Sequence, residues 1–476
     1  MGTHGGAVCP YDTQLAGTFR VTRRLCHNRG VRLLGALVAV ACGWPAAAQD
    51  LATEPVTVST EHPRLLLRPQ RLRLLRRERE RTSPRWEQFS ALVGGNAPMP
   101  ERGLSLALYY QVAKDEAAGK DAIAFALQAS ADLRQQAFVY DWCQDLMTDA
   151  QRASLTAKLE KGISNPPANA DVAATRSRVL AAIALFDHVE RSPQRELERV
   201  VRQWWLAQIV PALQAGRAAI SRDDAYALFE MLHALRDNTV LDLREAAPQF
   251  FKDYPIEHLM SYYPAVYEGA DTNYYIGASQ KSGEPDLRAA ALSRAGELAM
   301  VAYDTNAAPS QVLQGWLMHD KFMLRSTFGA PYEFLWANPY LPGLSYYHVP
   351  LVYHNPEFGK LFVRSSWDDG AVWFGAYDGI MQFFADGKLQ QPGSGPLSLE
   401  QAVVCFAKSG DRFTVKPGED EDAVFVVGLE PRKAYEVEID DEEMVEAETD
   451  TGGILELEVP KGKSVGIRLR AVTTAR

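Results

Sequence analysis

The sequence predicts an α+β chain with helices first and sheets second, and two changes of pattern carry that prediction. From about Leu104 to Thr305 apolar residues recur at helical spacing, in Ala-Leu-rich segments several turns long. After about Leu344 the chain breaks into short β-branched and aromatic runs separated by Gly, Pro and Asp. The scale fits two domains: 476 residues, 47% hydrophobic and 23% charged, is ample for a packed core and long for one unit.

Taken in order, the chain opens with arginines at 23, 24, 29 and 32, then the apolar run Leu33–Cys42 and the small residues Ala46-Ala47-Ala48. A basic stretch, a short apolar core and an A-x-A site predict a cleaved signal peptide over residues 1–48, and hence a periplasmic or extracellular protein. The apolar run is too short for a comfortable membrane span, so no stable membrane insertion is expected after cleavage. Next, Arg71–Arg81 mixes arginine, glutamate and leucine at helical spacing, which predicts an exposed amphipathic helix. Helices are predicted over Gly103–Ala118, Asp121–Ala137, Thr148–Lys161, Ala170–His188 and Pro193–Ala218, punctuated by Ser164-Asn165-Pro166-Pro167 and Ser192-Pro193. Short connections between consecutive helices predict antiparallel hairpins. Strands are predicted at Leu361–Arg364, Ala371–Phe374, Ala402–Phe406, Ala423–Val427, Ala434–Ile439, Gly453–Val459 and Val465–Leu469, a spacing that suits a small antiparallel β-sandwich.

The net charge of −10 argues against nucleic acid as a partner. Beyond the leader only Cys143 and Cys405 remain, which make neither a disulfide framework nor a zinc motif, so no metal and no cofactor is expected. The oligomeric state is not legible.

Chemistry concentrates in Ser261–Ile276, SYYPAVYEGADTNYYI, where five tyrosines accompany Glu268, Asp271 and Asn273. A phenol offers a flat face for a sugar ring and a hydroxyl that can give or take a proton. The segment therefore suits the lining of a sugar-binding cleft, although paired tyrosines also pack at interfaces with their hydroxyls satisfied. His233, Arg236 and Asn238 lie close along another helical stretch. His233 and Arg236 share a face at a spacing of three, and Asn238 falls near the helix end, where it can enter a cleft or simply cap.

Several segments, in their order, resemble the heparinase II/III-like polysaccharide lyases: His62-Pro63-Arg64-Leu65-Leu66-Leu67, Tyr140-Asp141-Trp142-Cys143, Ala265–Tyr275, and Phe362–Asp368 followed by Ala371-Val372-Trp373. The resemblance implies an incomplete α/α toroid over residues 49–343, a β-sandwich over 344–476, and β-elimination at a 4-linked uronic acid of an anionic polysaccharide. It assigns Tyr275 as base and acid, with Tyr274 in reserve, Asn238 as neutraliser of the uronate carboxylate and His233 as second base. Arg236, Glu268, Tyr267, Asn273 and His348 would line the substrate site. The sequence departs from that pattern in its β part, where no histidine follows His354. Two alternatives stay open: a non-catalytic glycan-binding relative, and an inverting glycoside hydrolase using a carboxylate pair among Glu268, Asp271, Asp223 and Asp224.

Overall fold

A computed structural model describes residues 51–53, 55–166, 170–278, 283–319, 326–393, 395–419, 423–440 and 443–472. The signal-peptide expectation at 1–48 lies outside the described residues. Among the described residues no helix is long and apolar enough to cross a membrane.

The helical part runs from Pro69–Glu80 to Gly329–Trp336. Two helices expected as single rods are each broken by an aspartate. Lys114 leaves the first helix in the left-handed conformation, and Asp115 then caps Glu116–Ala126 by accepting from the amides of Ala117 and Ala118. Asp132 likewise starts Leu133–Trp142 by accepting from the Gln135 amide. Thr148 and Gln151 close a capping box at the head of Asp149–Ser164.

Packing between these helices follows a circuit. Arg102–Ala113 contacts Leu133–Trp142, which contacts Val172–Leu185, then Ala225–Asn238, then Leu287–Tyr303, then Gly329–Trp336. The last of these packs on Pro84–Gly94, which returns to Arg102–Ala113. Inside the circuit, fully buried Glu230 is clasped by Arg134 and Arg176, with its Oε2 2.6 Å from Arg176 Nη1. Paired so closely, the carboxyl is held down at about 2, because Arg134 and Arg176 outweigh the burial that would raise it.

A two-stranded antiparallel hairpin interrupts the helices: β1 (Tyr262–Glu268) and β2 (Asn273–Gly277), with Tyr267 opposite Tyr274 and Val266 opposite Tyr275. The sequence reading gave this stretch as cleft lining and assigned it no strand. Its backbone is instead extended, so neighbouring tyrosines point to opposite faces.

Beyond the helices, the described residues form thirteen strands in three sheets. The first is antiparallel, in the order β3 (Val352–Asn355), β4 (Lys360–Arg364), β5 (Trp373–Tyr377), β6 (Ile380–Ala385) and β7 (Lys388–Gln390). Its β5–β6 and β6–β7 turns carry Asp378-Gly379 and Asp386-Gly387, all with positive φ, the geometry of tight type I′ hairpins. The second sheet has the order β14 (Leu455–Leu457), β11 (Ala423–Val427), β9 (Ala402–Phe406) and β8 (Leu397–Leu399). The third has the order β10 (Arg412–Val415), β15 (Val465–Ala471), β12 (Ala434–Ile439) and β13 (Glu443–Glu448).

The expected two-sheet sandwich is therefore corrected to three stacked sheets. The middle one is covered on both sides, which is why β9 reads AVVCF with no polar position. Val403 and Cys405 pack toward Val437, Val465 and Ile467 of the third sheet. Ala402, Val404 and Phe406 pack toward Leu361, Val363 and Phe374 of the first. One pairing, β9 with β11, is parallel, and the others are antiparallel.

The outer face of the first sheet joins the helices. Phe362, Trp373, Tyr377 and Phe384 belong to the same apolar cluster as the helical core. Trp373 Nε1 donates to the Met260 carbonyl at 2.9 Å, and Lys360 pairs with Glu257 at 2.6 Å. Buried residues on both sides of this seam fix the first sheet against the β1–β2 hairpin, and the candidate site forms there.

Candidate functional site

The hairpin is positioned from below by Arg222, which lies in the turn leading into Ala225–Asn238. Its guanidinium donates to Ser293 Oγ, Ser261 Oγ and the His258 carbonyl, pairs with Glu297 at 3.0 Å, and lies 4.2 Å from the Tyr262 ring centre. The hairpin approaches it so closely that a Cβ on Gly277 would meet Arg222 Nε at 2.2 Å, so only glycine fits.

Above this support the tyrosines divide. Tyr263 faces the first sheet, stacked on Phe384 at 5.1 Å, and its hydroxyl donates to Gln382 Oε1 at 2.7 Å. Burial pushes its pKa up to about 12. Tyr274 is buried too, and its hydroxyl lies 3.1 Å from the Asp271 carboxylate. Burial and that carboxylate push it up to about 12, which makes it a poor base at neutral pH. The Tyr267 hydroxyl donates to Glu284 Oε2 at 2.6 Å, which also raises its pKa. Glu268 and Asn273 face each other across the hairpin end, both exposed.

Tyr275 stands apart from these. It is half-buried, with its ring 4.6 Å from Trp316 and 6.1 Å from Tyr262, and its hydroxyl reaches 3.5 Å from Asp369 Oδ1. Asp369 sits in the β4–β5 loop, which is closed by hydrogen bonds between Ser365 and Val372 and between Ala371 and Asp368. Trp316 continues the aromatic surface to Tyr346 at 5.2 Å, and exposed Tyr347 stacks on Tyr346 at 4.5 Å. His319 stacks on Trp316, nearly parallel at 17°. His348 is exposed in the same short turn as Tyr346 and Tyr347.

Beneath this surface lies Arg364, only 1% exposed, at the end of β4. Its guanidinium carbon is 4.1 Å from the Trp367 ring centre, and its Nε donates to the Ser366 carbonyl at 2.9 Å. Its Nη1 is buried with no hydrogen-bond partner among the described residues. Burial pulls the guanidinium down to about 10, opposed by Tyr346, Tyr275 and Asp369, the ionisable groups near enough to act on it. It remains cationic at neutral pH. A buried cation with an unused donor thus lies near a phenol, a carboxylate and a stacked aromatic wall.

The structure does not bring His233, Arg236 and Asn238 to this place. Ala225–Asn238 is 14 residues long, which spans about 20 Å. Tyr275 reaches Arg222 through Tyr262 at the N-terminal end, whereas Asn238 is at the C-terminal end. The Asn238 amide donates to the carbonyls of Ala234 and Arg64 and borders a cavity of about 240 Å³ lined also by Ser59, His62 and Arg68. His233 is fully buried, placed 2.9 Å from the Ala299 carbonyl through Nε2 and 3.4 Å from Arg236 through Nδ1. Burial, reinforced by Arg71, drives its pKa well below the usual histidine value, so it stays neutral as a packing residue. Arg236 donates to the Tyr303 carbonyl and lies over that ring at 3.7 Å. The expectation that these three face Tyr275 is corrected accordingly. Sequence reasoning missed Arg364, Asp369, Trp316 and Tyr346 as a group. The one available signal was an arginine closing the apolar run LFV.

No protein-family profile matches the sequence, and none of the curated proteins does. Among solved structures, a chain described as a glycoside hydrolase aligns at 12% identity over 78% of this chain and 71% of its own, with a TM-score of 0.30. The function is accordingly read from the site itself.

Proposed function

We propose that this protein processes a uronate-containing, anionic polysaccharide at the Tyr275 site, by β-elimination. The observation that carries the reading is Arg364: a buried guanidinium with an unpartnered Nη1, near enough to Tyr275, Tyr346 and Asp369 for their charges to act on it. Aromatic faces suit sugar rings, and a fixed arginine suits the carboxylate that distinguishes a uronate from a neutral hexose.

In the proposed reaction Arg364 neutralises the substrate carboxylate and so acidifies the neighbouring C5–H. The Tyr275 phenolate removes that proton. The electron pair forms the C4–C5 double bond, the C4–O4 bond breaks, and the phenol returns the proton to the departing O4. Asp369 accepts from the Tyr275 hydroxyl while the phenol is protonated. Arg364 thus takes the role that the sequence resemblance gave to Asn238. The circuit of helices supports the toroid reading, with residues 49–343 and 344–476 as the two domains and the site at their seam. The signal-like N-terminus supports action outside the cytoplasm.

The test is incubation of the purified protein with a panel of uronate polymers, following ultraviolet absorbance of the unsaturated product. Tyr275→Phe should lower the rate by roughly 10²-fold or more. Reducing ends released without the chromophore would replace elimination by hydrolysis, for which exposed Asp369, Glu268 and Asp271 are candidate carboxylates. Binding without any product would leave a glycan-binding protein.

A further inference from the structure

Away from the hairpin, His62, Asp187 and His188 each offer a ligand atom, and these atoms all lie within 4.8 Å of one another. We propose that these three residues bind a divalent transition-metal ion of the zinc class. His62 Nε2 is 3.4 Å from Asp187 Oδ2, the separation of two donors on one ion, and His188 Nε2 is 3.7 Å from the other carboxylate oxygen, Oδ1. Donors about 2.1 Å from a tetrahedral ion stand about 3.4 Å from each other.

The histidines are also prepared for the role. His62 Nδ1 lies 2.5 Å from Asp141 Oδ1, and Asp141 is a fully buried carboxylate whose Oδ2 accepts from the amides of Arg64 at 2.9 Å and Leu65 at 2.8 Å. A carboxylate fixed in this way holds the imidazole proton on Nδ1 and turns the Nε2 lone pair outward, toward Asp187. His188 Nε2 lies 2.7 Å from the side-chain amide nitrogen of Gln144. Rotating that amide would place Oε1 where Nε2 now lies, a fourth donor for the ion.

Arg64 donates to Asp187 Oδ1 and leaves Oδ2 toward His62. Asp141 and Asp187 here face Arg64 and, beside His188, Arg152, so the cluster is close to neutral when the histidines are uncharged. Two imidazoles and one carboxylate select zinc-class ions over calcium or magnesium, which require mostly oxygen. The motif was invisible in sequence because its halves stand 125 positions apart. An ion here would tie the segment leading to Arg64-Leu65-Leu66-Leu67 onto the turn after Val172–Leu185. The competing arrangement is a doubly protonated His62 clasped between Asp141 and Asp187, which needs no ion.

The test is titration of chelator-treated full-length protein with Zn²⁺ by calorimetry and with Co²⁺ by visible absorption. The expected result is one equivalent per chain, with the intense d–d bands of a four-coordinate cobalt site. His188→Ala and Asp187→Asn, both at partly exposed side chains, should retain the near-ultraviolet circular dichroism of the parent and weaken binding at least tenfold. Absence of stoichiometric uptake, or uptake unchanged in the His62→Ala/His188→Ala double variant, would overturn the proposal.

Discussion

Replacing Arg364 by glutamine removes the group on which the substrate reading rests, and the structure sets the size of the effect. Burial brings the guanidinium well below the ordinary arginine value, to about 10, which makes holding the charge there cost about 3 kcal/mol. A carboxylate docked on the unpartnered Nη1 can return up to about that amount, in line with a charge-assisted hydrogen bond of about 1.5–3 kcal/mol. At about 1.4 kcal/mol per tenfold, a uronate oligomer should bind up to about a hundredfold tighter than its carboxyl-reduced counterpart. The comparison is made by calorimetry on both oligomers, because neutral and charged versions share every ring contact. In Arg364→Gln the preference should fall to about threefold or less, with affinity for the neutral oligomer nearly unchanged. Equal binding of the two oligomers by the parent protein, or a preference that survives in the variant, would refute the reasoning. Unchanged affinity for the neutral oligomer also shows that the variant is folded.

Other consequences follow from the surrounding structure. Gly277→Ala forces a Cβ into Arg222 and disturbs its pairing with Glu297, and urea unfolding should show a loss of about 2 kcal/mol or more. His354 bridges Asp450 at 3.0 Å and Glu456 at 2.9 Å; burial opposes its protonation, but the two carboxylates prevail and raise its pKa above 6.5. Because the folded value is the higher one, its contribution is fully present below about 6.5 and disappears as pH rises through the raised value. Melting temperatures of parent and His354→Gln should therefore differ at pH 6 and converge at alkaline pH; a constant gap would contradict the assignment. Cys143 and Cys405 are free and buried, and burial raises both thiols, so a thiol reagent should label neither until the protein is unfolded.

The sequence displayed what depends on local pattern. Helical periodicity placed the helical part, and all-apolar runs such as Ala402–Phe406 and Ala423–Val427 marked the strands. That these two runs pair in parallel and form a middle layer depends on which sheets cover them, and nothing within a five-residue run specifies that. At the site, the tyrosine-rich segment was legible, and Tyr275 is the one whose hydroxyl faces a carboxylate across the seam. Its partner Asp369 is 94 positions away, and Arg364 reads locally as the polar end of a strand. The spacing of His233 and Arg236 correctly put them in contact. What it could not specify was which end of their helix meets the hairpin, because that orientation is set by Arg222 and its bonds to Ser261, Ser293 and Glu297.

The most direct measurement is a crystal structure with a bound uronate oligosaccharide. The account places the sugar carboxylate within hydrogen-bond distance of Arg364 Nη1 and a sugar ring against Tyr275 and Trp316. A sugar seated elsewhere, for instance in the cavity beside Asn238 with Arg364 untouched, would contradict it.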